Sequence, residues 1–157
     1  MSVTGRAEPP TPQTAGHPEA TELPDAREAI FGSFDGLTST LGVVAGLLAT
    51  KSSSDHIVAG AIGIAVAATV GMGAGQYLSD NEHNVRKAIV MAVATLTGSV
   101  LPALPFIFGT SLACVLSSIA ITTLAAGVIG HYRGYVVTYA ILLVVSVLTI
   151  ALSIAVA

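Results

Sequence analysis

Apolar residues form five long runs along the chain, separated by short polar segments. The runs cover residues 29–50, 57–78, 88–108, 111–130 and 135–157. Each run is close to the roughly 20 residues that an α-helix needs to cross the hydrocarbon core of a bilayer. Lipid offers the backbone no outside hydrogen-bond partner, so we expect these runs to be helices. The pattern therefore predicts an all-α integral membrane protein with a five-helix transmembrane domain over residues 28–157.

Residues 1–27 differ sharply from this domain. Five of the seven prolines lie here among polar and acidic residues, and no apolar period is present. This composition predicts a disordered tail and not a signal peptide. With five spans, the tail, the second loop and the fourth loop share one side of the membrane, and they carry five of the six basic residues. Basic residues favour the cytoplasm, so we predict a cytoplasmic N-terminus and a C-terminus that is outside or lumenal.

Composition excludes several classes of function. Apolar residues make up 53% of the chain and charged residues only 10%, against roughly 25% charged residues in an average soluble domain. The six basic residues are dispersed and the net charge is −3, so we expect no nucleic-acid partner. Cys114 is the only cysteine, which rules out an intrachain disulfide and a cysteine-built zinc site. No nucleophile–base pair or cofactor loop is apparent, so we predict neither an enzyme nor a permanently bound cofactor.

Asp35 is the only ionisable residue inside a predicted span. A carboxylate at this depth is costly unless it meets a partner, a cation or water, so a functional role is the first interpretation. Alternatively, Asp35 hydrogen-bonds the backbone or a hydroxyl such as Thr38 or Ser39 and only locks packing. Glu28 lies seven residues earlier on the same helix face. It either hands ions inward or serves as an ordinary partner of the helix dipole.

Met72 lies about 9 Å from the cytoplasmic end of the second run, at a depth similar to that of Asp35. A hard carboxylate and a soft thioether at one level suit a first-row transition-metal ion. Methionine in a helix also fills packing gaps, and the sequence leaves both interpretations open.

The first two runs each carry a stripe of small and polar residues at helical spacing, and the stripes contain Gly32, Gly36, Ser39, Gly42, Gly71 and Gly75. Small residues four positions apart allow helices to approach closely. The stripes therefore either serve helix packing alone or line a polar pathway with Asp35 and Met72. Beyond the second run, Asp80, Glu82 and His83 form either a weak cation-collecting cluster at an entrance or a solvated loop.

Three segments of the chain resemble the vacuolar iron transporter family. They are FGSFDGLTS at residues 31–39, continued by LGVVAGL at 41–47, then GMGAGQYLS at 71–79, and GSVLPALPF at 98–106. The resemblance implies a five-helix homodimer that moves Fe²⁺ or Mn²⁺ out of the cytosol in exchange for protons. It also implies that Asp35 and Met72 form the transport site and that helices one and two of both subunits line the pathway.

The chain departs from the family pattern at two places. Gln76 stands where the family usually carries a glutamate before Tyr-Leu-Ser, which removes a charge and a proton site and leaves a neutral ligand or gate. The connection from Ser79 to Lys87 is nine residues long, so we predict a short form without the cytosolic metal-binding domain of many members. These departures support a second hypothesis, a membrane scaffold that keeps the fold without transport. From the compact size we expect the cell membrane and not the vacuolar membrane.

Overall fold

Five long α-helices form the computed structural model, which describes residues 25–156 without the side chains of residues 132, 133, 146, 149, 150 and 152–156. The helices are α1 (Ala26–Ala49), α2 (Ser54–Ser79), α3 (Val85–Ala103), α4 (Leu112–Arg133) and α5 (Tyr135–Val156), and a 3₁₀ turn, Leu104–Phe108, follows α3. The described residues contain no β-strand. The predicted tail, residues 1–27, lies outside them except for its last three residues, and α1 begins within those three.

The described helices have the length and apolar composition of membrane spans. Four are long and apolar enough to cross a membrane: α1, α2, α3 with its 3₁₀ turn, and α4 up to His131. In α5, Tyr135–Val145 is a shorter apolar helix. The 24 residues of α1 extend about 36 Å, which exceeds the roughly 30 Å thickness of the hydrocarbon core. The predicted class, an all-α protein that spans the membrane with about five helices, is confirmed.

Helix ends do not coincide with the ends of the apolar runs, and only some of them carry a side-chain cap. Helix α2 begins at Ser54, three residues before the apolar run, with Ser53 in the N-cap position. Helix α3 begins at Val85, where the Asn84 side chain accepts hydrogen bonds from the backbone N–H groups of Arg86 and Lys87 at 3.0 and 3.3 Å. Such a cap satisfies backbone donors that the first helical turn leaves without partners.

Prolines shape the far end of α3. Pro102 lies inside the helix, and Pro105 lies in the 3₁₀ turn that follows it. Proline has no backbone N–H, so the helical hydrogen-bond ladder is interrupted here. The carbonyl of Pro102 accepts a hydrogen bond of 2.6 Å from Ser118 Oγ of α4. This bond ties the end of α3 to α4 inside the bundle.

Helix α3 packs against both α1 and α2, and glycines allow its approach to α1. A Cβ atom added at Gly32 would lie 2.6 Å from Met91 O and 2.9 Å from Thr95 Oγ1. On the opposite side of the contact, a Cβ added at Gly98 would lie 2.9 Å from the carbonyl carbon of Ser33. Both helices therefore use glycine where their backbones meet, as small residues do in membrane helix pairs.

Two small apolar clusters hold the remaining helices together. Val44, Ile57, Phe106 and Cys114 join α1, α2, the 3₁₀ turn and α4. Towards the α2–α3 loop end of the bundle, Leu37, Ala126 and Leu142 join α1, α4 and α5. Large apolar side chains cover the outer surface, and on α2 they include Ile62, Val66, Val70 and Leu78. An exposed apolar surface of this extent fits contact with lipid.

Candidate functional site

Asp35 is the tenth residue of α1, about 14 Å from the start of the helix. Its side chain is partly exposed, and within the described part of the chain its carboxylate makes no hydrogen bond or ion pair. The hydroxyl of Thr38 donates instead to the backbone carbonyls of Phe34 and Asp35, at 3.0 and 3.2 Å. The proposed packing lock by Thr38 is therefore not formed. Asp35 is a carboxylate in an apolar helix that is free to take a ligand.

Met72 lies seven residues before the end of α2, and its side chain is partly exposed. The next residue, Gly73, faces α3, because a Cβ added there would lie 3.0 Å from the Cβ of Ala92. Neither Met72 nor Asp35 lines the cavity beside the α2–α3 loop. The pairing of these two residues by depth remains a prediction.

That cavity, called here the loop-end cavity, has a volume of about 620 Å³ and lies where α1, α2 and α3 approach the α2–α3 loop. Polar side chains from four segments line it together with apolar residues of α1, α3, α4 and α5: Glu28 of α1, Gln76 of α2, Asp80 of the loop and Lys87 of α3. The structure thus brings together Glu28, Gln76 and Asp80, which the sequence placed in three separate groups. Carboxylate and amide oxygens are the ligands that hard divalent cations prefer.

The predicted entrance cluster divides between the cavity and the surface. Asp80 lines the loop-end cavity, whereas Glu82 and His83 are exposed in the loop. His83 packs on Tyr77 with ring centroids 5.3 Å apart, and its Nδ1 lies 3.1 Å from Tyr77 O. The loop residue that faces the candidate site is therefore Asp80.

Asp80 is held in place by two contacts on its two carboxylate oxygens. Oδ1 accepts a hydrogen bond of 3.1 Å from the backbone N–H of Glu82, and Oδ2 lies 3.2 Å from Lys87 Nζ. The Glu82 hydrogen bond first, and the Lys87 ammonium after it, lower the pKa of Asp80 below its usual range. A second ion pair, Arg86 Nε to Asp25 Oδ2 at 2.9 Å, ties the start of α3 to the start of α1.

We expect the Asp80 contacts to stabilise the protein in a pH-dependent way. A carboxyl group with a depressed folded-state pKa stabilises the fold above its ordinary pKa, about 3.9, and loses that effect as the pH falls through the folded value. Asp80→Asn should therefore lower the unfolding temperature at pH 6, and the difference from the parent should shrink below about pH 4. Glu82→Gln is the control, because Glu82 contributes only its backbone N–H. A difference that persists unchanged at pH 3 would contradict this account.

The six predicted pathway-lining residues fall into two groups. Gly32 and Gly36 are buried against α3, where a Cβ at either position would meet backbone atoms of that helix. Ser39 is partly exposed, and a Cβ added at Gly42, Gly71 or Gly75 would have no atom within 4 Å. Gly32 and Gly36 thus have a packing role. The open group, Gly42, Gly71 and Gly75, leaves space for contact with another molecule.

Sequence reasoning missed Lys87 as part of the candidate site. One signal was present in the sequence. A lysine in the first turn of a helix interacts unfavourably with the positive end of the helix dipole, so its position indicates a nearby acidic partner. The described residues contain no group of three or more His, Cys, Asp or Glu side chains that could hold a metal ion.

An all-helical bundle with several apolar spans and a free carboxylate in its first helix defines an integral, multi-pass membrane protein. Residues 26–84 match the model of the VIT family, and this segment comprises α1, α2 and the loop to α3. This part of the chain is therefore similar to the VIT family, a family of membrane metal-ion transporters. No curated protein matches the chain.

Proposed function

We propose that this protein works as a homodimer that moves Fe²⁺ or Mn²⁺ out of the cytosol in exchange for protons, for metal detoxification or storage. The observation that carries the proposal is Asp35, a carboxylate inside an apolar helix without a hydrogen bond or ion pair in the described part of the chain. An ionisable residue at such a position is expensive and usually marks an ion pathway. It lies within the segment that matches the VIT family.

A dimer supplies the ligands that one protomer lacks. Two-fold symmetry would place two Asp35 carboxylates and two Met72 thioethers around one axis. Carboxylate oxygens neutralise the charge of a divalent cation, while thioether sulfur favours transition metals over Mg²⁺ and Ca²⁺. This donor set fits Fe²⁺ or Mn²⁺ as the transported ion.

The loop-end cavity is the natural entrance to such a site. Glu28 lines the cavity and precedes Asp35 by seven residues, which is about 10 Å along the same helix face. Gln76 lines the cavity from α2 and offers a neutral amide oxygen. In this mechanism Glu28 and Asp80 collect the ion, Gln76 acts as a neutral ligand or gate, and protonation of Asp35 allows the empty carrier to return.

The direction of transport follows from the predicted orientation. The loop-end cavity lies beside the second loop, which the distribution of basic residues assigns to the cytoplasm. An ion that enters there and passes Asp35 leaves the cytosol. We propose the cell membrane as the location, since the chain is compact.

The open glycine face of α2 is the proposed surface for dimerisation. We expect Gly75→Leu to convert the dimer to a monomer in detergent, as measured by light scattering. A Cβ atom added at this position would have no described atom within 4 Å, but a leucine there would block the close approach of a second helix. Ala120→Leu, on an exposed position of α4, is the matched control and should leave the dimer intact. A dimeric Gly75→Leu variant would rule out this face.

Transport itself is tested with purified protein in proteoliposomes that contain a metal-sensitive fluorescent reporter. Uptake of Mn²⁺ or Fe²⁺ above that of empty liposomes, enhanced by a pH gradient of one sign, is the expected result. A folded dimer that carries neither ion under a gradient of either sign would contradict the proposal.

The second candidate function is a membrane scaffold that keeps the fold without transport, and the neutral Gln76 and the short α2–α3 loop favour it. Protection against thermal unfolding separates the two candidates, because a ligand that binds the folded state raises the unfolding temperature. A transporter should be stabilised by millimolar Mn²⁺ and not by Mg²⁺, whereas a scaffold should respond to neither ion.

A further inference from the structure

Lys87 occupies an unusual position for a basic residue. It is the third residue of α3, so its charge opposes the helix dipole. Its side chain is about one-third exposed, at 35%, and its ammonium lies 3.2 Å from Oδ2 of Asp80, whose own side chain is only 11% exposed. The same ammonium also experiences the negative charge of Glu28. Lys87 therefore lies among the carboxylates of the loop-end cavity.

The charges that line this cavity cancel. Glu28 and Asp80 contribute two negative charges, and Arg27 and Lys87 contribute two positive charges. The two basic residues therefore weaken the attraction of the two carboxylates for cations from solution. Arg27 is exposed, so solvent screens its charge, whereas Lys87 is in direct contact with a carboxylate. Lys87 is thus the basic residue with the largest influence on a cation in the cavity.

Oxygen atoms that suit a divalent cation line the same cavity as the lysine. Glu28 and Asp80 supply carboxylates and Gln76 supplies an amide, and the three side chains come from α1, the loop and α2. An ammonium group and a divalent ion are both attracted to these oxygens, and the positive charge of the ammonium repels a cation that binds beside it.

We propose that Lys87 is a tethered cation that competes with the incoming metal ion for Asp80 and so sets the affinity of the entrance. This inference rests on the proposed transport function and assigns its site a specificity-determining residue. The lysine stays paired with Asp80 when no metal is present. It leaves Asp80 when a divalent ion arrives, and it disfavours ions that bind carboxylates too weakly to displace it.

The competing account is that the Lys87–Asp80 pair only stabilises the loop. The loop does not depend on this pair, because other contacts hold it. Three other contacts fix this region without the lysine side chain. They are the Glu82 N–H to Asp80 Oδ1 bond, the Asn84 cap of α3, and the Arg86–Asp25 ion pair. The fourth contact, with Lys87, is the one that faces the cavity.

The test compares three variants of the full-length protein in detergent: Lys87→Gln, Lys87→Arg and Arg86→Gln. Equilibrium binding of Mn²⁺ is measured by electron paramagnetic resonance of the free ion, in an Asp35→Asn background so that the transport site does not contribute. Lys87→Gln should lower the Kd about tenfold, the order expected from removing one unit charge a few ångströms from a divalent ion in a water-exposed cavity. Lys87→Arg keeps the charge and should bind Mn²⁺ like the parent.

Arg86→Gln is the matched control, because it removes an adjacent positive charge whose side chain is 72% exposed and paired outside the cavity. Equal tightening by Lys87→Gln and Arg86→Gln, weaker binding by Lys87→Gln, or no Mn²⁺ binding by any variant would overturn the inference. The outcome is independent of transport. Tighter binding by Lys87→Gln without uptake in proteoliposomes would support the role of Lys87 and contradict the transporter proposal. Uptake by the parent together with unchanged binding by Lys87→Gln would support the transporter proposal and contradict the role of Lys87.

Discussion

Asp35→Asn should abolish Mn²⁺ and Fe²⁺ uptake into proteoliposomes. The substitution keeps the size and shape of the side chain and removes its negative charge, and a neutral amide cannot compensate a divalent ion inside the membrane. The loss should be complete within the sensitivity of the fluorescent reporter, because no other described side chain of α1 between Glu28 and the end of the helix is acidic. No other single substitution is expected to have a larger effect on activity.

The same variant should fold and assemble normally. The Asp35 carboxylate has no hydrogen bond or ion pair to lose within the described residues, so dimer assembly and the unfolding temperature without metal should match those of the parent. Asp55→Asn is the matched control, since it removes an exposed carboxylate from the opposite end of the bundle and should leave uptake unchanged. If Asp35→Asn carries metal at the parent rate, Asp35 is not a transport ligand.

The helices could be predicted from the sequence because hydropathy reports directly on contact with lipid. Each apolar run lies within or beside a helix of similar length. The polar start of α2 at Ser54 was missed because hydropathy reports contact with lipid, whereas the helical backbone continues past the end of the apolar run. The 3₁₀ turn after α3 follows from Pro102 and Pro105, which the sequence marks as the place where regular helix ends.

The neighbours of each helix face could not be predicted in the same way. Helical spacing places Gly32, Gly36 and Gly42 on one stripe, but it does not identify the helix that the stripe contacts. In the structure Gly32 and Gly36 lie against α3, whereas a Cβ atom added at Gly42 would have no described atom within 4 Å. Depth arguments have the same limit, since they compare positions along the membrane normal and carry no information about lateral distance. Lys87 and Asp80 meet because a short loop brings them together. The conformation of this loop, and therefore the pairing, could not be predicted from the sequence.

Gly36→Ala should destabilise the protein more than a substitution at any open glycine. The added Cβ would overlap Thr95 O and lie 2.8 Å from Ser99 N. Both are backbone atoms, so no flexible side chain can move aside and the two helices must separate. Overpacking of this kind typically costs about 1–3 kcal/mol. Gly63→Ala is the control, because its Cβ would have no atom within 4 Å, and alanine in a helix is favoured over glycine by about 0.5–1 kcal/mol.

Cys114 provides the measurement. It is the only cysteine of the chain and is buried between α1, α2 and α4, so a maleimide dye that fluoresces on reaction with thiols reports its exposure during heating. We expect a clearly lower unfolding temperature for Gly36→Ala and an equal or slightly higher one for Gly63→Ala. The result also decides what the glycine at position 36 is for. A stable Gly36→Ala protein that has lost metal uptake would indicate that Gly36 lines the pathway. An unstable one would indicate that Gly36 serves the contact between α1 and α3.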